Sequence, residues 1–278
     1  MKRLLSIELQ KIWKNKASRV LTITYFALLS SIALIASINF DIGPLHFDIS
    51  EMGIFNFPYI WHFNTYFASW FKLFLAVIIV SMMANEYSYG TLKQNLIDGM
   101  SKKEFVLSKF FTVVLFALVS TIFVFVMSLI LGYSFSSYTE IGIVFSELDY
   151  LLAFFVELIG FFSICLFLGV LIKKSAFALG FLLVWKIFEG ICYLLMKWLF
   201  FDTWDKAYNA LGYFPMQSIS NLLADPSRRL SIIKNAGNQA GFDMNYDYSV
   251  HYSSIVIVLV WTAIFISSSY YLLKRRDL

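Results

Sequence analysis

The chain has 278 residues, of which 59% are hydrophobic and 14% charged, with a mean hydropathy of +0.72 and a formal net charge of +4. A soluble domain of this size cannot bury so much apolar surface, which excludes a soluble globular fold and indicates a polytopic membrane protein. The basic residues follow the links between apolar runs instead of forming one patch, which excludes nucleic acid as a partner.

The first segment, residues 1–17, is predicted to form an amphipathic helix. Four apolar residues fall on one stripe of that helix, namely Leu5, Leu9, Ile12 and Trp13. The basic residues of the segment lie largely on other faces. Such a helix lies in the interface of a membrane that contains anionic lipid. We therefore predict an interfacial helix in contact with membrane lipid, and an ordinary charged tail is the alternative.

Six later runs are long and apolar enough to cross the hydrocarbon core, for which a helix needs about 20 residues. The spans are predicted at 20–39, 66–83, 105–131, 151–172, 176–200 and 253–273. The fold class is therefore an all-α polytopic membrane protein with one transmembrane domain over residues 1–278. It comprises six transmembrane helices, the interfacial helix, a short helix in the link 86–104, and a longer outer loop at 201–252.

The orientation follows from lysine and arginine, which concentrate in cytoplasmic loops. The links at 40–65 and 132–150 contain neither residue type. The remaining short links and both ends are basic, with Lys93, Lys102 and Lys103 in the first, Lys173 and Lys174 in the second, and Lys274, Arg275 and Arg276 at the end. We expect both termini in the cytoplasm and the chain in the inner (plasma) membrane.

The link 86–104 contains a compact helical pattern between two long apolar runs. Leu92 and Leu96 stand four residues apart, so they share one face of a helix. Gly90 and Gly99 flank this helix as permissive turn residues. Ser101, followed three residues later by Glu104, is a capping box that opens the next helix. A short amphipathic helix in this position offers a surface to a soluble partner.

Four ionisable residues fall inside predicted spans: Lys72, Glu157, Lys186 and Glu189. A charged group in the membrane is costly, and it usually faces the bundle interior, a partner or water. Lys186 and Glu189 share a face of the fifth span, and a pair across spans, such as Lys186 with Glu157, is allowed. Two interpretations stay open: an ion pair that fixes helix register, or a polar lining of a pathway or of a dimer seam.

Catalytic motifs are missing from the sequence. No G-x-x-x-x-G-K-[ST] nucleotide loop occurs, so the chain is not predicted to hydrolyse a nucleotide by itself. The histidines fall in or beside the outer loops, and Cys165 and Cys192 lie in apolar runs. We therefore predict no catalytic residues, no metal and no directly bound cofactor, and an integral membrane enzyme is disfavoured.

The link between the second and third spans resembles the first cytoplasmic loop of a known family. The resemblance rests on Glu86, then Gly90-Thr91-Leu92, then Gly99-Met100-Ser101-Lys102-Lys103-Glu104-Phe105, then Lys109. This pattern is similar to that of ATP-binding-cassette (ABC) transporter permeases of the type-2 exporter class. Their layout also has an amphipathic first helix, six spans and a basic end. Lys102 departs from the arginine common in the family, and the loop 201–252 is longer than expected.

The resemblance implies a mechanism and partners. Thr91–Asp98 would be a coupling helix seated in a separate ABC ATPase, of which two copies are expected. ATP and magnesium would bind to that ATPase, and a second permease chain, identical or different, would pair in the membrane. The coupling residues implied are Glu86, Gly90, Thr91, Leu92, Leu96, Gly99 and Ser101.

Alternatives to these roles stay open. Leu92 and Leu96 could instead pack on the chain's own spans, and Glu86 could pair with Lys109 or Arg19. The expected function is the permease subunit of an ABC exporter, which couples ATP hydrolysis to substrate movement. The alternative is a non-transport scaffold or mechanical anchor, with or without an ATPase.

Overall fold

The computed structural model describes residues 2–36, 39–42, 45–48, 53–229 and 247–276. The chain folds into helices joined by short links, with one antiparallel hairpin that pairs Asn39 with Asp48. The elements are α1 (Lys2–Lys14), α2 (Lys16–Ala36), β1 (Asn39–Ile42), β2 (Leu45–Asp48), α3 (Tyr59–Trp70), α4 (Lys72–Ser88), α5 (Thr91–Ile97), α6 (Lys102–Phe135), α7 (Ile141–Val144), α8 (Asp149–Ile172), α9 (Ser175–Leu199), α10 (Trp204–Leu211), α11 (Pro215–Ser220) and α12 (Tyr252–Arg275).

Several helices are long and apolar enough to cross a membrane. By length and composition these are α6, α8 together with α7, α9 and α12, and the bent pair α3–α4 would make a fifth. The prediction of a helical chain with several helices able to cross a membrane is confirmed, but six spans are not. The predicted first span, 20–39, coincides with α2 only as far as Ala36. Residues 37 and 38 lie outside the described part of the chain, and Asn39 already belongs to β1.

The predicted second span, 66–83, is not one straight helix. The chain bends by 45° between α3 and α4, at Phe71. Neither proline nor glycine stands at this break, and the backbone tightens there instead. The amide of Phe71 donates to the carbonyl of Ala68 at 3.1 Å, and that of Phe74 to the carbonyl of Phe71 at 3.1 Å. These bonds span three residues, as in a 3₁₀ turn, and they redirect the helix axis.

Helix α8 forms the centre of the bundle and packs against α3, α4, α6, α9, α11 and α12. Two glycines allow this close approach, as small residues do between membrane helices. A Cβ atom at Gly160 would lie 2.6 Å from Cγ1 of Val258 in α12. A Cβ atom at Gly169 would lie 2.8 Å from Cβ of Met83 in α4. The backbone of α8 therefore touches side chains of both neighbouring helices.

Gly160→Val is expected to lower the free energy of unfolding by about 1–3 kcal/mol, because the added side chain would force α12 away from α8. The midpoint of thermal unfolding in detergent measures this change. Gly180→Val is the matched control, since a Cβ at Gly180 meets no described atom within 4 Å. Equal midpoints for the two variants would contradict the close contact of α8 with α12.

The links sort onto two ends of the bundle. One end, called the basic end here, holds α1, α5, the turn from α8 to α9 and the residue after α12. Arg276 donates there to the carbonyls of Val170 at 2.5 Å and Leu171 at 3.1 Å. The two links without lysine or arginine, 40–65 and 132–150, meet at the opposite end, which is called the far end here. The amide of Phe57 in the first link donates to Oγ of Ser136 in the second at 3.1 Å.

The long loop 201–252 contributes structure to the far end. It contains α10, α11 and a 3₁₀ turn at Pro226–Arg229. Residues 230–246 lie outside the described part of the chain. Trp261 of α12 donates to the carbonyl of Tyr213 at 2.8 Å, which fixes the link between α10 and α11 against the bundle.

Candidate functional site

A buried ionic cluster joins four helices at the basic end. Glu86, near the end of α4, accepts three hydrogen bonds. Its Oε1 atom accepts hydrogen bonds from Nζ of Lys109 in α6 at 2.5 Å and from Nζ of Lys11 in α1 at 2.8 Å. Its Oε2 atom receives the hydroxyl of Thr91, the first residue of α5, at 2.6 Å. One carboxylate therefore connects α1, α4, α5 and α6.

Lys109 is the second centre of this cluster. It is 0% exposed, and its ammonium also donates to Oε2 of Glu8 in α1 at 2.5 Å. The two lysines balance the two carboxylates, so the cluster is neutral as a whole. Burial of an unpaired charge costs several kcal/mol, so charged side chains are found in the interior when each is paired with an opposite charge. Glu8, Lys11, Glu86, Thr91 and Lys109 are called the Glu86 cluster below.

Lys11 lies at the edge of the Glu86 cluster. Partial burial acts to lower the pKa of Lys11, but the hydrogen bond and charge of Glu86 and the charge of Glu8 outweigh it. The pKa of Lys11 is therefore raised above its ordinary value, because its protonated form is stabilised. Lys11 consequently stays charged throughout the physiological pH range.

Helix α5 is held at both ends in the way its sequence predicts. Gly90 precedes it with φ of 67°, and Gly99 follows it with φ of 95°, backbone angles that favour glycine. The amide of Met100 donates back to the carbonyl of Asn95 at 3.0 Å, which closes the last turn. Ser101 and Glu104 then form the predicted capping box at the start of α6. The short helix is thus confirmed as a defined element.

The exposed face of α5 differs from the predicted one. Leu92 is only 2% exposed and packs in the chain's own core, and the half-buried Leu96 packs against that core. Leu92 therefore packs on the chain's own helices, which is the alternative to docking that the sequence leaves open. The side chains that face outward are Lys93, Gln94 and Ile97, and Ile97 is 76% exposed. The name exposed α5 face refers to these three residues.

The apolar stripe of the N-terminal helix is divided between two environments. Ile12 is buried against the bundle and Leu5 is half-buried, whereas Leu9 and Trp13 are exposed. The division arises because Glu8, with Lys11 one turn further on, turns α1 toward Glu86 and Lys109. Glu8 is not among the residues predicted from the sequence, although an acidic residue one turn before Lys11 on an amphipathic helix is a usable signal.

The charged residues within the spans do not form the Lys186–Glu157 pair that the sequence allows. Glu157 of α8 accepts from Nζ of Lys72 at the start of α4, at 2.5 Å, and not from Lys186. Lys186 instead donates to Oε1 of Gln217 at 3.0 Å. The physical reason is the bend at Phe71, which sets Lys72 at the start of a new helix packed on α8. An ion pair between spans therefore exists, but its lysine is Lys72 and not Lys186.

Glu189 has a role that the sequence pattern does not reveal. Its carboxylate accepts the backbone N–H groups of Met216 and Gln217, both at 2.9 Å, and Nε1 of Trp185 at 3.0 Å. Met216 and Gln217 lie in the first turn of α11, where N–H groups lack partners within the helix. Glu189 therefore caps α11 from the middle of α9.

No described group of three or more His, Cys, Asp and Glu side chains could hold a metal ion. The described part of the basic end consists of a neutral ionic cluster and the short helix α5 beside it.

Comparisons with known proteins give a family but no activity. A family model described as "Protein of unknown function (DUF2705)" matches residues 50–278. "Uncharacterized protein YhcI" of Bacillus subtilis (strain 168) is similar to a segment of this chain, with 37% identity over 60 residues. That segment covers 22% of this chain and 19% of the relative. The similarity therefore spans about a fifth of either protein.

Proposed function

Because the chain belongs to the DUF2705 family, whose function is unknown, its activity must be argued from the site, and we propose that it is the membrane subunit of an ABC exporter. A separate ATPase, present in two copies, binds ATP and magnesium and docks on the basic end. A second permease chain pairs with this one in the membrane. In this proposal α2 is the first of six spans, both termini are cytoplasmic, and the membrane is the inner (plasma) membrane.

The observation that carries the proposal is the Glu86 cluster. A docked ATPase can move transmembrane helices only if the element it pushes is rigidly joined to them. Glu86 and Thr91 join α5 to α4 at 2.6 Å, and Lys109 joins α4 to α6 at 2.5 Å. A displacement of α5 would therefore move α4 and α6 together, while Glu8 and Lys11 brace them through α1.

The exposed α5 face supports the same proposal. Ile97, 76% exposed, is an apolar side chain beside the polar Lys93 and Gln94 on the outward side of α5 at the basic end. An apolar anchor with a polar rim is the usual composition of a protein-binding surface. The buried Leu92 would hold α5 in place from the inside, so it supports the contact without making it.

The test is a pull-down of the tagged chain from gently solubilised native membranes, read by mass spectrometry. An ABC ATPase is expected with the native chain, and Ile97→Asp should lower its recovery about tenfold or more, since a central apolar anchor commonly contributes about 2 kcal/mol or more. The matched control is Ile141→Asp, because Ile141 is 74% exposed but lies in α7 at the far end.

Two outcomes would contradict the proposal. Recovery of no ABC ATPase with the native chain would favour a membrane scaffold without an associated ATPase. Equal loss of the ATPase from Ile97→Asp and Ile141→Asp would mean that the exposed α5 face has no special part in docking. Transport by the reconstituted complex then separates an exporter from a mechanical anchor that uses the same ATPase.

A further inference from the structure

A large polar cavity lies at the far end of the bundle, away from the Glu86 cluster. Its volume is about 920 Å³, which is in the range of sites for organic molecules. Its lining comes from α3, α4, α8, α10, α11 and the start of α12, together with the link after α11. The Lys72–Glu157 ion pair is part of that lining.

Glu157 is incompletely satisfied in this cavity. The residue is 2% exposed, and its Oε1 atom accepts the ammonium of Lys72. Its Oε2 atom is buried and accepts no well-formed hydrogen bond from a described residue, although the Ser69 hydroxyl, which also lines the cavity, interacts with the carboxylate. A buried carboxylate oxygen without a donor is costly, and such groups are usually satisfied by water or by a ligand. A carboxylate oxygen has two acceptor positions, so beside Ser69 the cavity wall still holds an acceptor for a donor from outside the chain.

The charges of the lining favour a cation over an anion. Lys72 is the one lysine or arginine among the described lining residues, and its ammonium is already enclosed by Glu157 and the ring of Phe161, whose centroid is 5.1 Å away. Asp225 and Asp247 add two further carboxylates. Hydrogen bonds from Ser249 lower the pKa of Asp247, so this group is charged at neutral pH.

The aromatic residues of the lining favour a cation with an apolar or aromatic body. Tyr66, Trp70 and Tyr213 all line the cavity. Their ring faces attract cations, and their apolar surface is covered when a flat organic group binds. His251, whose Nε2 atom is 3.7 Å from Oδ2 of Asp247, also lines the cavity and adds a polar contact at its rim.

We propose that this far-end cavity binds an organic cation that has an N–H donor for Glu157 Oε2 and an aromatic or apolar body for the Tyr66, Trp70 and Tyr213 side. Glu157 supplies the charge-assisted contact inside the cavity, and Asp225 and Asp247 attract the cation to it. This site is separate from the surface proposed for the ATPase, so binding requires neither the ATPase nor ATP.

The test is fluorescence anisotropy of rhodamine 6G, an aromatic cation with N–H groups, added to the full chain in zwitterionic lipid nanodiscs. Empty nanodiscs measure partition of the dye into lipid. Fluorescein, an anion of related shape, should bind no better than to empty nanodiscs. Glu157→Gln and the double variant Asp225→Asn plus Asp247→Asn should each weaken binding about tenfold, as expected for loss of a charged hydrogen bond or of two nearby charges.

The controls keep the result decisive. Asp205→Asn changes an exposed acidic residue of α10 that does not belong to the lining, so it should leave binding unchanged. If Glu157→Gln fails to fold because Lys72 loses its partner, the double variant, which leaves that ion pair intact, decides. Binding of the dye at the level of empty nanodiscs, or equal affinity of all the folded variants, would overturn the proposal. Either outcome would leave the ATPase docking experiment unaffected.

Discussion

Lys109→Met is expected to disrupt the basic end and to lower the free energy of unfolding by about 3–5 kcal/mol. The ammonium of Lys109 is 0% exposed and pairs with Glu86 and Glu8 at 2.5 Å each. Methionine fills a similar volume but leaves one of these two carboxylates in the interior without a countercharge. Thermal unfolding in detergent measures the loss, and hydrogen exchange should locate it in α1 and α5.

Lys103→Met is the matched control for this experiment. Lys103 lies on the same helix but is exposed, so its replacement should change stability by about 0.5 kcal/mol or less. Adding Glu8→Gln and Glu86→Gln to Lys109→Met should restore part of the stability, because the buried charges are then removed together. If Lys109→Met and Lys103→Met unfold at the same temperature, the cluster does not hold these helices together.

The loss of the Glu86 cluster should also affect the proposed docking. If α5 transmits force to α4 and α6, then Thr91→Val, which removes the hydrogen bond from Thr91 to Glu86, weakens the link without charging the interior. Docking of an ATPase on Ile97 would survive this change, whereas coupled movement of the spans would weaken. The cluster and the exposed α5 face therefore contribute separately to the proposed function.

Glu189→Gln is expected to lower the free energy of unfolding by about 1.5–3 kcal/mol and to impair assembly. Both carboxylate oxygens accept backbone N–H groups at the start of α11, at 2.9 Å each. A glutamine has one acceptor oxygen, and its NH₂ group would face the second N–H. Circular dichroism melting and size-exclusion chromatography in detergent measure the two effects.

Glu140→Gln provides the comparison for Glu189→Gln. Glu140 is exposed and precedes α7 without a side-chain capping bond, so its neutralisation should leave both measurements unchanged. Equal behaviour of the two variants would show that Glu189 does not cap α11. Because α11 also lines the far-end cavity, a loosened α11 should weaken rhodamine 6G binding as well.

Local features of the basic end could be predicted from the sequence because they depend on neighbours a few residues away. The capping box of Ser101 and Glu104 and the turns at Gly90 and Gly99 are set by backbone angles and by hydrogen bonds within one helical turn. The apolar runs of α6, α8, α9 and α12 likewise indicate membrane helices by length and composition alone.

Most partners of the buried charges could not be predicted in this way, although of the two alternatives left open for Glu86 the structure selects Lys109. The sequence places Lys72 and Glu157 in spans, but it does not show the bend at Phe71 that aims Lys72 at α8. It also does not show that Glu189 faces the first turn of α11, since Glu189 and Met216 are 27 residues apart in the chain. These contacts join residues that are far apart in the chain, and many helix arrangements satisfy the same pattern.

By itself, then, the sequence determined that this protein is a helical membrane protein whose short α5 begins after Gly90 and ends before Gly99, because hydrophobic length and turn chemistry act locally. The tertiary structure alone decided that Leu92 faces inward and Ile97 outward, and that Lys11 and Thr91 join Lys109, one of the two partners that the sequence offers, around Glu86. Leu92 and Ile97 are both apolar, so hydrophobicity does not decide which of them is buried. The rotation of α5 about its axis decides this, and the hydrogen bond from Thr91 to Glu86 helps to fix that rotation.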